Sequence, residues 1–399
     1  MPELWYRVLL HAATRIYYRR VRVVFLNPFV IGDGPVLFVG LHRNGAVDGM
    51  LYKSAFPHAV FVIARRLLRS WFTRLYFTGI PVTREHDDDA PSSRRDNARS
   101  LDAAVDHLAS GGQLFILPEG TSDLGPRHLP FKPGAAKVVV EALERGVAPL
   151  IVPMGILYES APSFRSDVCI VVGAPIGTAL DDSLDHADRV AEMMNRITAS
   201  LEDIAVEADD AATLHSAEML SAIAADELGA TRWRVQKMLT TSRRATMESN
   251  LWRLAGIAVD RAGVPRLSGH GVLWNLFWLA VQLPVVIAAA TANILPLAGA
   301  WLAGRQLADA RNTIALWRII VGAPLTVLWL GVVIASGIVG GVWLPLAYAV
   351  ITALGLIAYP ELCVRWPMFR NSISRRAMRS DVLAIRQLLR AAAAGAQNV

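Results

Sequence analysis

Two stretches of the chain contain no Asp, Glu, Lys or Arg: Leu267 to Gly304 and Ile319 to Pro360. Each exceeds the ~20 apolar residues that one helix needs to cross a bilayer. Within them Val272–Ala290, Ile319–Gly337 and Val342–Pro360 are long enough to span. Ile294–Gly304, which follows Asn293 and contains Pro296, is too short. Two to four membrane segments are therefore expected. A chain that is 53% hydrophobic and 19% charged is too apolar for a disordered one, and these blocks say where the excess sits. An integral membrane protein is the expectation.

The net charge of +6 is unevenly spread, with seven Arg against one Asp in residues 362–399 and five Arg against one Glu in residues 1–22. Basic segments beside membrane-length blocks read as contacts with anionic lipid headgroups, in preference to nucleic acid. Arg305, Arg311 and Arg318 between the blocks, and the Arg-rich tail after them, face the cytoplasm under the positive-inside tendency, which favours paired hairpins over a three-pass arrangement. No basic patch leads into a signal-like apolar stretch at the N-terminus, so the region ahead of the blocks is expected in the cytosol. Cys169 and Cys363 lie far apart and follow no ligand spacing, which leaves neither a disulfide framework nor a zinc site to read.

Five regions follow from pattern. Residues 1–20 place Trp5, Leu9, Ala12, Ile16 and Tyr17 at helical spacing among arginines, an amphipathic helix that lies at a membrane interface or packs on its own domain. Residues 21–182 alternate short Val/Ile/Leu-rich strands (Val21–Leu26, Pro35–Leu41, Ala59–Ala64, Gln113–Leu117, Ala148–Met154, Asp167–Val172) with helical stretches at Asp96–Ser110 and Gly134–Gly146, an α/β domain with helices flanking a mixed sheet. Residues 183–266 read as helices at Leu184–Val206, Ala211–Leu228 and Arg232–Arg253, the last basic enough to lie on a membrane or to pack. Residues 267–361 are the membrane blocks and 362–399 the basic tail.

Four clusters in the α/β region can carry chemistry. His42 and Asp48 follow the strand Pro35–Leu41, on the turn where such strands end. An Asp that accepts from one ring nitrogen frees the other to take a proton from an alcohol, although a surface His beside a turn Asp is the plain alternative. Gly79-Ile80-Pro81-Val82-Thr83-Arg84 ends a short strand with an Arg whose planar fork suits a phosphate. Pro118-Glu119-Gly120-Thr121 leads through Leu129-Pro130-Phe131-Lys132 into a helix near Gly134, where backbone amides and Lys132 can meet an anion; taken singly it is an ordinary strand-to-helix loop. Ile151-Val152-Pro153-Met154 reads as a wall or as core. His86-Asp87-Asp88-Asp89 carries metal-type donors, but adjacent carboxylates in a polar loop are read as solvated, and no metal is expected.

Together and in this order, from about Val21 to Ile176, these blocks resemble the glycerophospholipid acyltransferase family: a His and Asp pair, a Gly-to-Arg block, a Pro-Glu-Gly block and a Val-Pro block. Five residues separate His42 from Asp48 where four are usual. With Asn44, Ile80-Pro81-Val82 and Phe164-Arg165-Ser166, this is similar to the branch holding fungal-type glycerol-3-phosphate and dihydroxyacetone-phosphate acyltransferases. Gly79 stands one position nearer Arg84 than usual, and Thr121-Ser122-Asp123 replaces a more His-containing loop.

The resemblance implies an acyltransferase-like fold and transfer of a fatty acyl group from a thioester, acyl-CoA or acyl-ACP, to a hydroxyl of glycerol 3-phosphate, dihydroxyacetone phosphate or a lysophospholipid. His42 is then the general base and Asp48 its orienter. Arg84 and Lys132 are phosphate ligands, and Asn44, Glu119, Gly120 and Thr121 bind substrate. A thioester is already activated, so no cofactor beyond the acyl donor is expected. A catalytically silent membrane-binding scaffold of the same fold is the alternative. A lipase is disfavoured because no Gly-x-Ser-x-Gly turn occurs.

Overall fold

The structure is a computed structural model that describes the chain apart from residues 1, 69–73, 75, 83–91, 226–227, 242–269, 375–382, 384, 388 and 392–399. The chain divides into two compact units. One holds residues 1–14, 21–157 and 169–205, the other residues 15–20, 158–168 and 206–399.

The first unit is built on a seven-stranded sheet with the order β1-β7-β6-β2-β5-β3-β4. The strands are β1 (Arg20–Phe25), β2 (Val36–Gly40), β3 (Val60–Ala64), β4 (Ile80–Val82), β5 (Gln113–Ile116), β6 (Leu150–Tyr158) and β7 (Asp167–Val172). β2 runs parallel to both β5 and β6, and β3 parallel to β5 and β4. β7 reverses direction: Glu159 N donates to Asp167 O while Gly173 N donates to Pro153 O, pairing rising numbers with falling ones. The sheet is therefore mixed, with a parallel centre. All five residues of β2 and all six of β7 are buried, as expected of strands covered on both faces.

Helices α2 (Ala46–Ala55), α3 (Ser92–Ala109), α4 (Gly134–Glu144) and α5 (His186–Ile204) accompany this sheet. Ala135, Ala136, Val139, Val140 and Ala142 of α4 and Met193, Ile197 and Leu201 of α5 enter one core with Leu37 and Val39 of β2. Their three- and four-residue spacing forms one apolar face per helix. Asp185 starts α5 by accepting the N–H of Asp188 at 2.9 Å, the expected use of an acidic cap. The N-terminal helix α1 (Pro2–His11) packs on α2, with Leu9 buried and Trp5 edge-on to Tyr76 at 6.4 Å. Much of its apolar stripe is thus spent on its own domain, while Leu4 stays exposed.

The second unit is helical. α6 (Ala211–Ala224) and α7 (Ala230–Thr241) pack together through Ala217, Leu220, Val235 and Leu239, and Arg232 and Trp233 are buried. α7 therefore spends its apolar side on protein, and the rest of the expected Arg232–Arg253 helix lies outside the described residues. Ile385 and Leu389 of the tail join the same cluster, while Arg386 Nε and Arg390 Nε donate to Ile223 O and Ala224 O at 2.7 and 2.6 Å. Two tail arginines thus satisfy carbonyls that the end of α6 leaves without helical partners.

α8 (Val272–Ala292), α9 (Ile294–Gln306), α10 (Ile314–Gly340) and α11 (Trp343–Ser374) follow. Among the described residues three helical segments are long and apolar enough to cross a membrane: Val272–Ala292, Arg311–Gly340 and Trp343–Ile373. α9, at 13 residues, is not. α8 and α11 pack closely, and a Cβ on Gly355 would collide with the Cβ of Ala289. This is the small-residue approach that lets apolar helices associate where no hydrophobic force drives them together. Beside it Asn293 Nδ2 donates to Thr352 Oγ1 at 2.9 Å and Tyr348 Oη donates to Asn293 Oδ1 at 2.5 Å. Trp274 and Trp301 remain about half exposed, whereas Trp278 lies under the Arg365 guanidinium at 5.3 Å.

Candidate active site

The order of the sheet places the chemistry. From β2 the chain moves to one side through α2 and β3, and from β5 it returns to the other side at β6, so β2 and β5 flank the point where the winding reverses. Open α/β sheets bind ligands in the crevice outside the carboxyl ends of such strands. Val39 pairs with Ile116, so the residues three positions beyond this pair, His42 and Glu119, emerge side by side.

His42 Nδ1 lies 2.9 Å from Asp48 Oδ2, and the same oxygen accepts the backbone N–H groups of Arg43 at 2.6 Å and Asn44 at 2.7 Å. Asp48 is fully buried and His42 nearly so. An oxygen accepting two other donors is a carboxylate, so Nδ1 carries the ring proton and the lone pair is left on Nε2. Asp48 stands in the first turn of α2, where the free amides and the helix dipole favour negative charge. The sequence pattern had put it in a turn; the helix starts at Ala46, after Gly45 takes φ 56°, a conformation that suits glycine.

Glu119 uses both carboxylate oxygens on backbone: Oε1 accepts from His42 N at 2.6 Å and Oε2 from Leu129 N at 3.0 Å. With the side chain buried, Glu119 thus joins the two loops. Burial raises its pKa above the ordinary 4.5, opposed by the two backbone N–H groups and by His42 and Arg43. Gly120 follows at φ 71°, and its open side is bounded by Lys132, whose Cδ and Cε lie 3.5 Å from where a Cβ would stand and Nζ 3.7 Å. Lys132 N donates to Pro118 O at 2.8 Å, which brings the two ends of the intervening loop together. Lys132 and Thr121 are exposed and Asn44 is buried. Arg84 and the segment His86–Asp89 lie outside the described residues. Among the described residues no group of His, Cys, Asp and Glu is arranged to hold a metal ion.

Three contributors were not legible in the sequence. Tyr52 Oη, fully buried, donates to Leu41 O at 3.0 Å next to the catalytic candidate. Burial first, and then Asp48 and Glu119, push its pKa well up, so it stays a donor. Arg43 Nη2 and Nη1 donate to Gly125 O at 2.5 Å and Arg127 O at 3.3 Å. Gly40 permits the close approach of Phe115, whose Cε1 would meet an added Cβ at 2.7 Å. Only a glycine just ahead of the His gave a hint, and it is common in such loops.

Residues 18–157 match the family model described as Acyltransferase. All described site residues lie inside this matched segment. Over 127 residues it is 32% identical to glycerol-3-phosphate O-acyltransferase 2 of Saccharomyces cerevisiae, an alignment covering 30% of this chain and 17% of the yeast protein. The chain thus spans under a fifth of that curated relative. Among solved structures, the 1-acyl-sn-glycerophosphate acyltransferase PlsC of Thermotoga maritima aligns with a TM-score of 0.36 and 16% identity, over 51% of this chain and 78% of that one.

Proposed function

We propose that this protein is a membrane-bound O-acyltransferase of phospholipid biosynthesis. It transfers a fatty acyl group from acyl-CoA or acyl-ACP to a hydroxyl of glycerol 3-phosphate or a lysophospholipid. The acyltransferase domain faces the cytoplasm, with the three apolar helices in the bilayer and basic segments near anionic headgroups. The observation that carries the reading is the buried contact of His42 Nδ1 with Asp48 Oδ2 at 2.9 Å.

In the reaction Nε2 of His42 takes the proton of the acceptor hydroxyl as its oxygen attacks the thioester carbonyl. The new C–O bond forms, the tetrahedral intermediate collapses with cleavage of C–S, and the imidazolium returns the proton to the departing sulfur. Asp48 stabilises the imidazolium and holds the tautomer. Lys132 and Arg84 grip the acceptor phosphate as point charge and planar fork. Asn44, Gly120 and Thr121 contribute to the substrate-facing wall, and Glu119 fixes the two loops that carry them. The thioester serves as co-substrate, and the reaction asks for no further cofactor.

The test is turnover by the purified full-length protein of a labelled acyl thioester, offered with each acceptor in turn. His42→Ala is expected to lower transfer by at least ~10²-fold, the scale of a lost general base, with the protein still folded in detergent. Near-normal turnover by that variant overturns the assignment.

A further inference from the structure

The loop from Thr121 to His128 is closed against the His42 loop by more than its ends. Glu119 ties its start to His42 N and its end to Leu129 N, and Asp123 N donates to His42 O at 3.3 Å. Its middle meets the Arg43 side chain from the other loop, which donates to the carbonyls of Gly125 and Arg127. Asp123 Oδ2 in turn accepts Gly125 N at 3.0 Å, stiffening the segment that Arg43 grips. The neighbouring backbone N–H of Arg43 belongs to the cradle of Asp48. One residue thus joins the carboxylate behind the base to the loop beside it.

A base able to deprotonate a glycerol hydroxyl is equally able to deprotonate water. Water attack on the thioester is balanced without any other reagent. The water proton passes to Nε2 of His42, its oxygen forms the C–O bond, C–S breaks, and the imidazolium proton goes to sulfur, yielding fatty acid and thiol. An acyltransferase must suppress that branch by keeping water from the reacting centre until an alcohol fills it. His42 is nearly buried, and the Thr121–His128 loop bonded to it is part of what surrounds it.

We propose that Arg43 is a positioning residue that latches the Thr121–His128 loop closed and thereby sets the ratio of acyl transfer to thioester hydrolysis. This rests on the transfer chemistry proposed above. A guanidinium suits the task because its fork reaches two carbonyls in one plane, whereas an ammonium offers no such fork.

The experiment supplies the full-length protein in detergent with palmitoyl-CoA, with and without glycerol 3-phosphate or lysophosphatidate, and measures free thiol and labelled ester together. Arg43→Ala is expected to raise the hydrolysis-to-transfer ratio at least ~10-fold, the loss of a water-excluding closure, with Arg43→Lys between it and the native protein. Amide hydrogen exchange at residues 121–128 should quicken in Arg43→Ala, a readout that needs no turnover. Native transfer with an unchanged ratio in both variants, or unchanged exchange in the loop, overturns the latch alone. Absence of transfer by the native protein with every acceptor overturns the functional reading and the latch with it.

Discussion

The backbone N–H of His42 donates to Glu119 Oε1 at 2.6 Å, across 77 residues of chain. The base candidate is thus held at two points, its ring by Asp48 and its main chain by a carboxylate from the neighbouring strand's loop. A preorganised base needs both, because a ring whose backbone drifts loses its aim as surely as one without an orienting partner.

Glu119→Gln replaces one acceptor oxygen by an NH₂ group that faces a backbone N–H donor. The expected cost is ~1–3 kcal/mol of stability, the penalty for leaving a buried donor without an acceptor. A fall in transfer rate should accompany it. Thermal unfolding in detergent and steady-state turnover of the same preparation check both.

Glu119 also predicts a pH dependence. Its folded pKa is raised, chiefly by burial, so its contribution to stability is complete below the ordinary 4.5 and is lost as pH rises through the lifted value. The stability difference between the native protein and Glu119→Gln should therefore shift against the native protein over that window. Transfer moves oppositely, since only the ionised form accepts both backbone N–H groups. Unfolding midpoints of the two proteins across that window, with a flat difference as the contrary result, decide it.

Asp48→Asn keeps the shape but offers one acceptor oxygen where the native Oδ2 meets three donors. An amide can also donate to Nδ1 and select the wrong tautomer. The turnover number is expected to fall by ~10²–10⁴-fold with acceptor KM little changed, as for orienting carboxylates generally. A raised KM at normal turnover would place Asp48 in binding instead.

Gly355→Leu puts a side chain where the Cβ of Ala289 already stands. Separating α8 from α11 should cost ~1–3 kcal/mol by overpacking and strain the Asn293, Thr352 and Tyr348 contacts beside it. The detergent unfolding temperature should drop, and an unchanged value would show that the two helices do not pack closely there.

The charge-free blocks, the strand and helix alternation and the order of four short motifs were readable in the chain alone. Hydrophobic period and the length needed to cross a bilayer are local properties, written in neighbouring residues. So was the pairing of His42 with Asp48, six positions apart. The tertiary structure decided what distance in the chain conceals. Glu119 binds backbone on both oxygens because β2 and β5 lie side by side in register. Arg43 reaches carbonyls more than 80 residues away. α1 and α7, each readable as membrane-surface helices, bury much of their apolar sides on protein, and two tail arginines cap α6. An amphipathic face records only that it needs a cover; which surface supplies it, lipid or protein, is settled by three-dimensional neighbours that no local pattern contains.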